Sequence, residues 1–349
     1  MRILYHLSDY VSFRASGLAY IECLKYLGHE VYTDPGIPTG VEDCDLAVLH
    51  SDPLDFVRAY AAFPALRQKP VVGYAVWEGN RLPDAFMEGL ALVDAVWTCS
   101  RYSQQSMLEA FPDAAVVPHV VERHRISPAD LKEARALLGS FSSDDFLFFS
   151  IIDAINPRKN IKDLLFAFSR LRGETRRPVR LVLKQYRASM DFSGIPGVYS
   201  VEGELAPGVL RALHSLCHAY VSAHHAEGWG LGLSEAMAYG KPAIATGYSG
   251  NMEFMDERNS FPVPYTLGPV SEEMCRRLPW FRPDMIWANV DKGALIQAMK
   301  DVAEGRYDLD IPRRAMEIPR SFGIAEVARI MEPLVEQVVE TAGKGKKHV

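Results

Sequence analysis

The densest chemistry in this chain is a pair of acids set around a run of glycines. The segment from Ala223 to Pro242 reads AHHAEGWGLGLSEAMAYGKP; it follows an apolar strand pattern and opens a helical one. Gly228, Gly230 and Gly232 leave the backbone bare where that helix starts. Free N–H groups there, with the positive end of the helix dipole, make a place for phosphate. Gly240 closes the helix and Pro242 prevents its continuation. Glu227 stands in the loop ahead of the helix and Glu235 on its first turns, so the two carboxylates can reach different parts of one elongated ligand, a sugar at one end and a ribose at the other. A carboxylate suits that task because its oxygens accept from vicinal hydroxyls.

Cations join the acids. Asn156-Pro-Arg158-Lys159-Asn160 follows a strongly apolar strand and starts a helix, and Lys184 ends the apolar strand that begins at Val179. Arg158, Lys159 and Lys184 are placed to neutralise a diphosphate leaving group. The loop Thr246 to Glu253 follows another strand and offers further amides. His224, His225 and Glu227 are metal-ligand types, but consecutive side chains at a strand end point opposite ways, so no metal site is expected.

The elements that must hold these residues alternate. Strands are expected at Arg2–Leu7, His29–Tyr32, Asp45–His50, Pro70–Val76, Ala95–Ser100 and Val116–Val121, with a loop at Ser16-Gly17 and a helix from Leu18 to Leu27. A second series begins with helix Pro128–Leu138 and the apolar run Phe146–Ile152, which reads as a central parallel strand. It continues with helix Ile161–Arg172, strands Val179–Lys184 and Val198–Val201, helix Val209–Cys217, strand Ala219–Ser222, helix Leu233–Tyr239 and strand Pro242–Ala245. This predicts two doubly wound α/β domains, 1–122 and 123–323, facing each other across a cleft, with a long helix over 324–341 packing back on the first. Ligands of open parallel sheets bind beyond the carboxyl ends of the strands, which is where the residues above fall.

Composition sets the outer limits. The 349 residues suffice for two domains, and a net charge of -6 disfavours a nucleic-acid binder. The five cysteines are scattered without a C-x-x-C pair, which fits a reducing compartment and excludes a zinc ribbon or a disulfide framework. The N-terminus turns polar too soon for a signal peptide, and no apolar run reaches the roughly 18 residues of a bilayer span. A cytoplasmic protein is expected, with peripheral contact at the inner membrane face left open; the basic tail Gly343–His348 is expected to be disordered and is a weak attractor of anionic lipid. A nicotinamide dehydrogenase would need a third glycine or alanine at Leu233, and no Gly-Lys-Ser/Thr of a P-loop occurs. The Asp-x-Asp spellings at Asp43 and Asp308 fall at a strand entry and in a late polar turn, and are read as chance.

On these motifs the chain resembles glycosyltransferase family 4, whose members are retaining enzymes of the two-Rossmann-domain (GT-B) fold. Glu227 and Glu235 match its E-x7-E motif, Lys159 its phosphate lysine, and Lys184 a second lysine of one subgroup. Gly28-His-Glu-Val31 is similar to a motif after the first helix, and Thr246–Glu253 to a small-residue loop ending in glutamate. The likeness is specific over about 145–265, looser over 1–120, and absent from 266–320. It implies Glu227 beside the donor sugar, Glu235 on the ribose, and the backbone of Gly228, Trp229, Gly230 and Leu231 on sugar hydroxyls and β-phosphate. It implies Arg158, Lys159 and Lys184 on the departing diphosphate of a UDP- or GDP-sugar, with no metal or other cofactor. The acceptor implied is a glycan or glycolipid, in the setting of surface polysaccharide synthesis.

The sequence departs from that family in three places. Asp153 stands where many members carry an arginine, with Arg158 as the substitute. The usual glycine pair of the first domain is reduced to Gly17 in Arg14-Ala-Ser-Gly17, which is expected to serve the donor. The usual sugar-side histidine is missing from Tyr74–Glu78, leaving Glu78 and His119 as acceptor or sugar candidates. A GT-B epimerase or hydrolase, and a module that holds a nucleotide sugar without turnover, are the competing readings.

Overall fold

The computed structural model describes residues 1–35, 41–139 and 141–345. The chain divides into two compact units, one made of Met1–Val121 with Arg320–Val349, the other of Glu122–Pro319.

The first unit alternates β1 (Arg2–Leu7), α1 (Val11–Tyr26), β2 (Glu30–Pro35), β3 (Leu46–His50), α2 (Pro53–Ala62), β4 (Val71–Tyr74), α3 (Asp84–Ala91), β5 (Ala95–Thr98), α4 (Arg101–Met107) and β6 (Ala115–Val116). The strands form a parallel sheet in the order β2-β1-β3-β4-β5-β6. Every residue of β3 and β4 is buried, as a parallel strand covered by helices on both faces requires. β6 is shorter than the expected Val116–Val121, because Pro118 has no N–H to continue the ladder.

Helix α1 corrects the sequence reading. The chain is helical from Val11, so Ser16 and Gly17 lie within the helix and not in a loop before it. The buried set Phe13, Gly17, Tyr20, Ile21 and Leu24 keeps helical spacing from the first turn, and that apolar stripe starts before Leu18. A Cβ at Gly17 would overlap Leu7 and crowd His50, so glycine here lets the helix lie close on β1 and β3.

The second unit runs α5 (Pro128–Leu138), β7 (Phe146–Asp153), α6 (Ile161–Glu174), β8 (Val179–Tyr186), β9 (Val198–Val201), α7 (Pro207–Leu216), β10 (Ala219–Ser222), α8 (Leu231–Ala238), β11 (Ala243–Thr246), β12 (Phe261–Val263), β13 (Tyr265–Pro269), α9 (Glu272–Arg277), β14 (Ile286–Val290), α10 (Lys292–Ala303) and α11 (Ile311–Ala315). Helix α5 opens on a capping box in which Ser127 and Asp130 bond each other's backbone, with Pro128 at the first helical position. The parallel sheet has the order β12-β11-β10-β7-β8-β9. Phe148, Leu181, Val221 and Ile244, one from each of four adjacent strands, share one core with α6 and α10. Strand order reverses between β7 and β10, and the loops after those two strands carry most of the sequence motifs. Residues 265–290, all but the first within the stretch where the sequence shows no motif, form an arm in which β13 and β14 pair antiparallel around α9.

After α12 (Ile318–Phe322), the chain ends in α13 (Ile324–Gly345), which packs on α1 and buries Val327, Ala328, Met331, Val335 and Val338. The helix carries through Gly343–Gly345, where a disordered tail was expected, and Lys346–Val349 lie outside the described residues. Among the described residues no helix is long and apolar enough to cross a membrane.

Candidate active site

The loops after β7 and β10 are tied to each other by backbone. After β7 the chain makes a short 3-10 turn, Pro157–Lys159, capped by the Asn156 side chain on the Arg158 N–H at 3.1 Å. Asn160 ends the turn at φ 48, a left-handed conformation that asparagine tolerates better than most residues. Its amide donates to the Ala223 carbonyl at 3.0 Å, and the His225 N–H donates to the Arg158 carbonyl at 2.8 Å. Arg158 and Lys159 are thereby held against the loop that carries Glu227.

Both cations meet that glutamate. Arg158 Nη1 donates to Glu227 Oε2 at 2.9 Å, and Lys159 Nζ donates to Oε1 at 2.6 Å. Arg158 also donates to the Ala226 carbonyl. Arg158 is 5% exposed and Glu227 7%, so the ion pair is desolvated. Burial alone would raise the Glu227 carboxyl, but Arg158, Lys159 and His224 outweigh it and hold the group well below the usual carboxylate range. Charge-assisted bonds of this kind are the strong ones, and they keep Glu227 ionised.

A third loop closes around the same residue. Ser249, at φ 77, accepts the Glu227 N–H on its hydroxyl at 2.7 Å, and the Gly250 N–H donates to the Glu227 carbonyl at 2.9 Å. A Cβ on Gly250 would overlap the Gly228 carbonyl, which is backbone and cannot yield as a side chain would. Gly250→Ala is therefore expected to cost about 3 kcal/mol, read as a lower urea midpoint, and to displace the Glu227–Gly228 backbone. An unchanged midpoint would show that the two loops separate freely.

The glycine segment behaves differently at each position. Gly230 caps α8 at φ 95, a conformation L-residues avoid, and Gly232 faces the Tyr220 hydroxyl with no room for a side chain. Trp229 turns its ring inward: it is 2% exposed, its Nε1 donates to Ser234 Oγ at 3.2 Å, and it packs on Phe254. Its side chain anchors the loop, leaving the backbone as the part that can meet a ligand. Glu235 is half-exposed on the first turns of α8.

Lys184 is not among the contacts of Glu227. Its side chain is fully buried, with the ammonium donating to the Gln185 carbonyl at 2.7 Å and to that of Gly203, over the Tyr186 ring. Burial pushes this ammonium down to about 8, against an opposing pull from Glu204. A group whose pKa is lowered by folding binds fewer protons folded than unfolded, so wild-type stability is expected to rise with pH from about 8 to about 10.4. Lys184→Met should lack that rise; equal pH slopes in urea melts of the two proteins would refute it. Asp153, at the end of β7, pairs with Arg187, which holds φ 63 just after β8. The position read as a lost arginine thus has a guanidinium supplied from the next strand.

The arm seats on these loops. The His225 ring stacks on Trp287 at 3.9 Å and 12°, and His225 and Ala288 exchange two hydrogen bonds, at 2.6 Å and 3.0 Å. Tyr265 packs on Tyr248, and Lys162 pairs with Glu273 at 2.7 Å. His224 points the other way, bonding Ser222 at 3.0 Å and Asn251 at 3.1 Å. Among the described residues no group of three or more His, Cys, Asp or Glu is placed to hold a metal ion. Sequence reasoning missed Ser249, Arg187 and Trp287; only Ser249, beside a glycine in a loop already singled out, left a readable signal.

The first-unit candidates divide. Gly17 sits mid-helix with its face packed, so it presents no loop amide to a donor. His119 is buried, its Nδ1 2.7 Å from the Tyr20 hydroxyl and its ring stacked on Tyr74, and burial pushes it down to about 3. It is a neutral member of an interior network that also takes in the Val117 carbonyl. Glu78 is half-buried in a loop pinned by the Trp77 carbonyl on Ser103 and by its own carbonyl on Tyr102.

Residues 139–260 match the family model described as Glycosyl transferases group 1, a span that includes every second-unit site residue of the sequence analysis. No curated protein matches in sequence. Among solved structures the chain is similar to Anabaena HepE in complex with UDP and glucose, at TM-score 0.66 and 16% identity over 97% of this chain and 100% of that one. It is also similar to the pneumococcal O-GlcNAc transferase GtfA in complex with UDP and GlcNAc, at TM-score 0.60 and 14% identity over 93% of this chain and 60% of that one. The lipopolysaccharide outer core galactosyltransferase WaaB gives TM-score 0.60 and 14% identity over 97% and 99%. The two Rossmann-like units are those of the GT-B fold. The second of them carries the match to the group 1 glycosyltransferase model, and the chain is an enzyme of the glycosyltransferase class.

Proposed function

We propose that this enzyme moves a hexose-type sugar from a UDP-sugar to a glycan or glycolipid hydroxyl with retention of configuration, as family 4 members do, and without a metal. The observation that carries it is the desolvated cluster of Glu227 with Arg158 and Lys159 beside the glycine cap of α8. Without donor, the carboxylate serves as internal counterion to the two cations. A diphosphate arriving at the head of α8 takes over Arg158 and Lys159, which frees the Glu227 oxygens to accept from sugar hydroxyls. The cations and the helix end stabilise the charge that develops on the leaving diphosphate, in place of a metal. The anomeric C–O bond to that phosphate breaks, the acceptor oxygen forms the new bond on the same face, and its proton passes to the departing phosphate oxygen. Glu235 holds the ribose, and Lys184 joins the phosphates by exchanging one of its carbonyl partners. The UDP complexes of HepE and GtfA favour uridine over guanosine. First-unit loops, with Glu78 among them, would meet the acceptor.

Calorimetric titration with UDP, GDP, ADP and CMP, with and without EDTA, tests the donor site. Saturable UDP binding that EDTA leaves unchanged and Lys184→Ala weakens is expected. No binding by any nucleotide would overturn the donor reading; binding lost with EDTA would overturn the metal-free part alone.

A further inference from the structure

The His214 side chain on α7 is fully buried, edge-on to Phe149 at 4.9 Å and stacked with Tyr220 at 5.6 Å. Among the described residues neither of its ring nitrogens has a hydrogen-bond partner, which is uncommon for a buried polar group. Its Nε2 lies 3.2 Å from Glu235 Oε2, within bonding distance but off line. The Glu235 side chain is 36% exposed, so one carboxylate oxygen lies against the buried ring while the group as a whole remains open to solvent. The aromatic walls fix the imidazole; the glutamate, with three rotatable bonds, is the partner that turns.

We propose that His214 is a positioning residue for Glu235: its Nε2–H takes one carboxylate oxygen and aims the other at the vicinal hydroxyls of the donor's ribose. This rests on the nucleotide-sugar reading above and adds a residue to it. The anchored carboxylate needs no reordering when ribose arrives, so loss of the anchor is felt in recognition of the two hydroxyls and not in binding of base or diphosphate.

The test is calorimetric titration of UDP and of dideoxy-UDP, which lacks both ribose hydroxyls, on wild type and on His214→Phe, His214→Asn and His214→Gln. A glutamine amide falls near Nε2 of the histidine it replaces and an asparagine amide near Nδ1. Wild type is expected to prefer UDP by about 30-fold, as two hydrogen bonds to a carboxylate allow. His214→Phe and His214→Asn should cut that preference at least about fivefold, with dideoxy-UDP affinity unchanged, and His214→Gln should restore it. A merely structural role would move Asn and Gln together. An unchanged preference in both the Phe and the Asn variants overturns the inference, and if one of them does not fold the other decides. A wild type that binds UDP but does not distinguish the dideoxy compound overturns it while leaving the diphosphate site standing. A wild type that binds no UDP removes the donor reading itself, and the inference falls with it.

Discussion

Glu227→Gln is expected to abolish transfer, by at least about a hundredfold, while tightening UDP binding by about tenfold. The two effects have one origin. In wild type the carboxylate occupies Arg158 and Lys159 at 2.9 Å and 2.6 Å, so an incoming diphosphate must displace it. The amide keeps the shape and one accepting oxygen but loses the charge that competes. The cations are then more available to phosphate, and the group proposed to hold the sugar at the reacting carbon is weakened. Titration of UDP together with a transfer assay reads both effects. Retained transfer would remove Glu227 from the proposed chemistry, and weaker UDP binding would show that the cluster supports the diphosphate site instead of competing with it.

Arg158→Met is expected to cost about 3–5 kcal/mol of stability at about pH 7 and to remove UDP binding as well. It leaves a carboxylate that is 7% exposed with Lys159 as its remaining cation, and it deprives the Ala226 carbonyl of its donor. The pH dependence has a definite sign. Glu227 is held below its ordinary value in the folded protein, so the stability it contributes is present above the unfolded pKa near 4.3 and is lost as pH falls through the lower folded value. The deficit of the variant should therefore be full near neutrality and shrink below about pH 4. A deficit independent of pH would assign the loss to packing of the arginine stem.

The comparison of sequence with structure separates two kinds of information. Strand cores were legible where a run had to be apolar on both faces: Phe146–Ile152 was read as a central strand, and it is β7, in the middle of its sheet. The Glu227 loop, the Gly230 cap and the basic pair were legible because each needs a particular residue type at a strand or helix end. Orientation was not. A lysine at the end of an apolar strand reads as an open cation, yet Lys184 folds its ammonium onto backbone carbonyls. Ser16-Gly17 reads as a loop because both residues are weak helix formers, and tertiary packing on Tyr5 and His50 overrides that propensity. The arm was invisible because its contacts with the site, Trp287 on His225 and Tyr265 on Tyr248, join segments far apart in sequence and follow no spacing.

The division of the chain bears on how it is made. The first unit is discontinuous, since α13 packs on α1 but is encoded after the whole of residues 122–319. At roughly 5–20 residues per second, translation of the intervening unit takes on the order of 10–40 s. During that interval α1 has no α13 to cover it, and Tyr20, Ile21 and Leu24 depend on the strands of their own unit for shelter. The second unit, whose 122–319 are contiguous, needs no later segment to complete its core. The unit that is born first is thus the one that waits for the last helix, and a released chain ending before residue 320 should hold a protease-resistant second unit beside a first unit still open to cleavage.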